Sequence, residues 1–269
     1  MLFHSVIVLF LSFSAGSWDA SPAQTVPPGV VKEEPAFRKR TYTDKKGAKM
    51  PYRLFVPPSY DASRKYPLVF WFHSGSGRGS NNESQISNEN EKGTQVWTSP
   101  ENQAALPAFV LAPQCAPGEN WSDPELNEVG APLQLALDIL ALVQKDYSID
   151  PGRIYLAGQS MGGLGVWALL QKYPELWAGA LVVSSYDNFT NVRAIARVPL
   201  WIFQGDADST VPVELICQMV EQIKKAGGRP RYSEYHKMGH EVWIQAFAEP
   251  QLIPWLASQK RAPPNEPTK

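Results

Sequence analysis

Ser160 stands at the centre of Gly158-Gln-Ser-Met-Gly-Gly163 in a chain of 269 residues. A serine hydroxyl is a poor nucleophile until an imidazole takes its proton and a carboxylate holds that imidazole in one tautomer. The chemistry on offer is acyl transfer, provided that a histidine and an acid reach the same place. Local context favours it. Arg153-Ile-Tyr-Leu-Ala157 is a β-branched and aromatic run that reads as a buried strand, and Leu164–Leu170 reads as a helix stopped by Pro174. In a strand–turn–helix of this kind, small flanking residues let strand and helix close up and leave the serine projecting. A formal dinucleotide fingerprint, Gly163-Leu-Gly-Val-Trp-Ala168, falls inside the helix and not between strand and helix, which argues against nucleotide binding.

Ser160, Asp208 and His240 each lie just past the carboxyl end of an expected strand, the edge at which open α/β sheets bind ligands. Among the other histidines, His4 falls in the leading segment, His73 ends an apolar run and reads as structural, and His236 sits at the end of the last strand. Asp206 competes with Asp208 for the acid; Asp208 lies further out in its loop, and Asp206 suits bonding to backbone amides of the turn. A tetrahedral intermediate needs backbone N–H donors around its oxygen. Met161, following the serine, supplies one; Gly75 or Ser74, in the loop after His73, supplies the other. Gln159, Trp121 and Trp243 are candidates for a substrate pocket, and Trp97 is a further aromatic of the same kind. No histidine–cysteine–carboxylate spacing suggests a metal, and no Walker-type motif follows the glycines after His73, so neither metal nor cofactor is expected.

The elements that must position these residues follow in order. Phe37–Thr43 and Tyr52–Val56 read as strands around a turn at Asp44–Gly47, a charged edge hairpin. Tyr66–His73 is a continuous apolar run typical of a strand buried on both faces. Ser74–Ser80 and a long polar stretch through about Trp97 read as loop, with Ser76–Pro100 as a polar substrate wall; Leu106–Ala112 is the next strand. Leu133, Leu137, Leu140, Val143 and Tyr147 recur at helical spacing, giving a helix over Ala131–Asp146. Strands at Trp177–Ser184, Val198–Phe203 and Pro230–Tyr235 alternate with a helix from Pro212 that turns Leu215, Met219, Val220 and Ile223 inward and stops at Gly227-Gly228. One last helix runs to about Ser258. The alternation predicts a single α/β domain with a mostly parallel central sheet flanked by helices, over residues 37–258.

Composition bounds the rest. With 43% hydrophobic residues and a net charge of −1, the chain can bury one sizeable core and offers no electrostatic case for nucleic acid or anionic membrane. Cys115 and Cys217 are too few for a disulfide framework, and two buried free thiols are expected. Residues 1–23 read as a secretory signal peptide: Val6–Leu11 is apolar but too short to span a bilayer, and small residues follow, although no Lys or Arg precedes it. A secreted or periplasmic protein with no membrane contact in its mature form is the expectation. Residues 24–36 read as a flexible lead-in and 259–269 as a Pro-rich tail.

The segments His73–Asn82, Pro113–Trp121, Gly158–Gly163, Gln204–Pro212 and Gly239–Trp243 together resemble the secreted α/β-hydrolases grouped as carboxylesterases or predicted peptidases, relatives of dienelactone hydrolase, feruloyl esterase and polyhydroxybutyrate depolymerase. The resemblance runs from about Arg40 to Ser258, in the chain order Ser, Asp, His used by that fold. It implies an α/β-hydrolase fold with Ser160, Asp208 and His240 as catalytic residues. One departure is visible: the family loop usually begins His-Gly, and here it begins His73-Ser74. The resemblance implies a serine esterase acting through an acyl-enzyme on a small-molecule or polysaccharide-borne ester. The alternatives are a serine peptidase of prolyl-oligopeptidase type and a non-catalytic carbohydrate-binding relative; the oligomeric state stays open.

Overall fold

A computed structural model describes residues 37–122 and 129–261. The expected signal peptide, the lead-in and residues 262–269 of the tail lie outside the described residues. The hairpin forms as its sequence demands. β1 (Arg38–Thr43) pairs antiparallel with β2 (Lys49–Phe55), and the turn between them places Gly47 at φ +89°. Asp44 Oδ1 accepts the Lys46 and Ala48 N–H groups at 2.8 Å each, a local closure available to a short carboxylate side chain. β1 is largely exposed and forms the charged edge of the sheet.

The apolar runs become β3 (Tyr66–Phe72), β4 (Phe109–Pro113), β5 (Ile149–Gln159), β6 (Gly179–Val183) and β7 (Leu200–Gly205); a half-exposed β8 (Arg231–Tyr235) closes the other edge. The eight strands run in the order β1-β2-β4-β3-β5-β6-β7-β8, antiparallel at β1-β2-β4 and parallel from β4 through β8. Alternation along β3 feeds two cores. Leu68, Phe70 and Phe72 pack with α3 (Ala131–Asp146), α4 (Met161–Lys172), α5 (Val192–Ile195) and α6 (Val213–Lys225). Val69 and Trp71 pack on the opposite face with α1 (Glu91–Thr98), α7 (Trp243–Phe247) and α8 (Leu252–Ser258). The expected domain is thus a three-layer sandwich, with both faces of the parallel strands covered.

Four expectations need correction. The polar stretch after Ser80 is not a loop: it holds short 3-10 turns at Ser84–Ile86 and Asn88–Asn90, then α1 and α2 (Pro100–Ala105). Its few inward residues carry it. Trp97 is buried, and Gly93 lies so close to Trp71 that a Cβ there would fall 2.0 Å from the indole, which admits only glycine. The final helix is two helices, because Pro250, between α7 and α8, has no N–H to continue the ladder. In α6 it is Ile216 that faces inward while Leu215 is half-buried, and Cys217 beside it is an exposed thiol; Cys115 alone is the expected buried one.

Candidate active site

Ser160 occupies a strained turn between β5 and α4, at φ 51° and ψ −121°, a region that a residue with a Cβ rarely enters. Close packing imposes it. A Cβ on Gly162 would lie 2.0 Å from Phe72 O, and one on Gly158 2.5 Å from Gly162 O, so α4 starts hard against the ends of β3 and β5. Ser160 N–H donates to Val183 O at 2.9 Å, and Ser160 O accepts Gly163 N–H at 2.9 Å. The main chain of the turn is therefore fixed, and the hydroxyl points out of it.

His240 reaches that hydroxyl from the loop after β8: Nε2 lies 2.9 Å from Ser160 Oγ, and Nδ1 lies 2.8 Å from Asp208 Oδ2. Asp208 sits in the loop after β7 with its carboxylate out of contact with solvent. Its Oδ1 accepts the N–H groups of Thr210 (2.8 Å) and Val211 (2.9 Å), and its Oδ2 also accepts from Gln204 Nε2 at 3.0 Å. Burial alone would push this acid upward; the bonds from Val211, His240 and Thr210 outweigh it and hold the carboxyl below its ordinary value. An ionised Asp208 accepts from Nδ1–H, which leaves Nε2 bare and facing the serine. Gln204 and Ser184 had no signal in the sequence beyond ending a strand. Ser184, buried and at φ 49°, donates its hydroxyl to His240 O at 2.9 Å and so fixes the main chain that carries the imidazole.

Asp206 plays the structural part expected of it. Oδ1 accepts Lys237 N–H at 2.6 Å, and Oδ2 pairs with the exposed His236 at 2.7 Å. Together with the Ala207 N–H bond to Met238 O (2.9 Å), this staples the histidine loop to the aspartate loop. His73 is also structural. It is fully buried, donates from Nδ1 to Ser74 O (2.6 Å) and accepts Cys115 N–H at Nε2 (3.0 Å), tying the two loops at that end of the sheet. Burial drives its pKa down to about 4, so the ring is neutral.

The oxyanion and pocket candidates divide. Met161 heads α4, where a helix leaves its first N–H groups unpaired. Ser74 N–H is spent: it donates to Asn90 Oδ1 at 2.8 Å. Gly75 N–H has no acceptor among the described residues, so of the two loop candidates only Gly75 offers a free donor. Gln159 is not a lining residue, because its side chain is buried and donates to Glu89 O at 3.1 Å. Trp121 is not one either: it packs edge-on to Phe72 and His73 and donates to His73 O at 3.1 Å. Trp97 belongs to the core below α1. Trp243 alone of the aromatic candidates touches the site, its ring standing perpendicular to that of His240 with centroids 5.8 Å apart. Among the described residues, no group of three or more His, Cys, Asp or Glu side chains converges to hold a metal, and no helix is long and apolar enough to cross a membrane.

A mostly parallel eight-stranded sheet, with a strained serine turn after β5, an acid after β7 and a histidine after β8, defines an α/β-hydrolase fold. Within that fold the chain belongs to the putative esterase family, whose model matches residues 44–250. A thermostable esterase is 35% identical, with a TM-score of 0.79 over 84% of this chain and 63% of its own, so the present chain spans less than two thirds of that relative. A ferulic acid esterase from Anaeromyces mucronatus, solved with ferulic acid, is 17% identical with a TM-score of 0.59, covering 86% of this chain and 93% of its own. Esterase 2 of Thermogutta terrifontis, phosphorylated by paraoxon, is 17% identical with a TM-score of 0.58, covering 81% and 92%. The latter two speak for the fold.

Proposed function

We propose that the protein is a secreted serine esterase that cleaves small acyl or aromatic esters, including acyl esters carried on carbohydrate, through an acyl-enzyme on Ser160. The observation that carries this reading is the unbroken relay Ser160 Oγ–His240–Asp208, at 2.9 and 2.8 Å. In it, His240 Nε2 takes the hydroxyl proton as Oγ attacks the ester carbonyl, and Asp208 stabilises the imidazolium that forms. The N–H groups of Met161 and Gly75 receive the oxyanion. Collapse of the tetrahedral intermediate breaks the C–O bond, His240 returns its proton to the departing alcohol, and water repeats the sequence on the acyl-enzyme. Residues 1–23 support export through their signal-like pattern. The test is labelling of the purified protein with a fluorophosphonate, together with hydrolysis of p-nitrophenyl acetate. The proposal expects stoichiometric modification at Ser160 and loss of turnover. An unlabelled protein, or one labelled elsewhere, refutes the mechanism.

A further inference from the structure

We infer that the Glu89–Asn90 corner, just before α1, is the positioning element of the oxyanion site, holding the loop after β3 and the turn after β5 in one frame. The inference rests on the serine-esterase reading and assigns residues that touch no substrate.

Asn90 is fully buried, and its side chain is spent on both sides of the corner. Oδ1 accepts Ser74 N–H at 2.8 Å, while Nδ2 donates to Ser84 O at 3.2 Å and to Ser76 Oγ at 3.3 Å. Glu89 completes the clamp. Its carboxylate accepts the hydroxyls of Ser74 and Ser76, and its main-chain oxygen accepts Gln159 Nε2 at 3.1 Å. Gln159 is the residue immediately before the nucleophile. A single dipeptide thus grips both segments that carry oxyanion donors, Gly75 on one side and Met161 on the other.

The physical need for such a clamp is plain. Ser74–Gly79 contains three glycines, so its own main chain prefers no one conformation. Oxyanion donors act only when preorganised to within a few tenths of an ångström, and the corner adds a side-chain anchor at Ser74 to the loop's own short 3-10 turn at Gly75–Gly77. Asn90 also decides which amide is free. By committing Ser74 N–H, it leaves the next amide, Gly75 N–H, as the unpaired donor. In this chain His73 is followed by Ser74, whose hydroxyl and N–H are both held by the corner. A clamp of this kind acts on the transition state and not on ground-state binding, so its loss falls on kcat and spares KM.

The test is Asn90→Ala, assayed with p-nitrophenyl acetate and with a trifluoromethyl ketone whose hemiketal oxygen occupies the oxyanion site. The expected result is a kcat lowered about tenfold or more, a KM within about twofold of wild type, and a ketone Ki raised by the same factor as kcat falls. An unchanged kcat, or a kcat that falls while the ketone Ki stays put, overturns the inference. If Asn90→Ala does not fold, Gln159→Met, similar in shape, breaks the strut to Glu89 O and must show the same split; a Gln159→Met enzyme with wild-type kcat is equally fatal. Paraoxon separates the two levels of failure. Wild type that is not phosphorylated on Ser160 refutes the esterase reading, whereas phosphorylated wild type with an unimpaired Asn90→Ala enzyme refutes only the clamp.

Discussion

Asp206 and Asp208 are two positions apart and have different partners, which makes the residue scale testable. Asp208 is buried on His240, whereas Asp206 pairs with a histidine that is mostly in water. On the proposed mechanism Asp208→Asn removes the charge that stabilises the imidazolium and disturbs its tautomer, and kcat is expected to fall by about four orders of magnitude. Asp206→Asn weakens an exposed pair and is expected to cost less than about tenfold. Steady-state kinetics on the two variants decide the matter, and equal losses would reverse the roles. Ser160→Ala should fold normally and lose nearly all turnover, since a relay without its nucleophile retains only residual catalysis. The pH profile follows from the same groups. Asp208 is held below its ordinary value near 3.8, so its stabilising contribution is present above that value and is lost only as pH falls through its lowered folded-state pKa. Protonation of Asp208 therefore accounts for no loss of kcat/KM above about pH 4, and a kcat/KM that fell with Asp208 ionisation near neutral pH would contradict its placement.

At the scale of elements, the site depends on how closely α4 approaches β3. Gly162→Ala would drive a methyl group into Phe72 O, 2.0 Å away, where backbone and not a flexible side chain must yield. Overpacking of this kind costs roughly 1–3 kcal/mol or more, and the Ser160 turn lies on the element that must move. A depressed melting temperature together with lost turnover is expected; an active enzyme of wild-type stability would show that the turn tolerates more than its geometry allows. The segment after β6 carries a second expectation. Asp187 is buried, with one carboxylate oxygen accepting from Gln171 Nε2 at 3.3 Å and the other unpartnered, and burial raises its pKa to about 6. An acid whose folded-state pKa lies above its unfolded value stays protonated in the fold, so stability is lost as pH rises from about 4 to about 6. Asp187→Asn removes that titration. Its melting temperature should match wild type near pH 4 and exceed it above pH 6, which calorimetry at both pH values checks.

At the scale of the whole molecule, the proposed esterase activity sets an order among substrates. An amide leaves only if its nitrogen is protonated in flight, and a peptidase needs extended binding to align it. Esters should therefore be cleaved far faster than a matched anilide, and acetyl or feruloyl esters faster than a decanoyl ester. Comparing kcat/KM across the four substrates checks this, and a winning anilide or decanoyl ester would end the small-acyl reading. The polar wall offers a substrate fewer side chains than its composition suggests. Asn82, Gln85 and Asn90 turn inward as scaffold, leaving Asn81, Asn88 and Gln95 exposed.

The α/β alternation, the strand–turn–helix around Ser160, and the placement of Ser160, Asp208 and His240 at one edge of the sheet were legible in the sequence. These follow from periodicity and from glycine and proline punctuation, which are local properties, and from the rule that parallel strands present their carboxyl ends together. What each polar or aromatic side chain faces was not legible there and is set by packing in three dimensions. Gln159, Trp121 and Trp97 look like pocket residues by type and position, yet all three are buried against other elements. Asn90 looks like one more polar loop residue, yet its amide oxygen meets Ser74 N–H from 16 positions away. The choice between Gly75 and Ser74 as free donor turned on that one bond. Such contacts depend on long-range packing, and a window of neighbouring residues carries no record of it. The same reason explains the missed helix α1: its polar surface resembles a loop, and only the burial of Gly93, Thr94 and Trp97 beneath it makes it a helix.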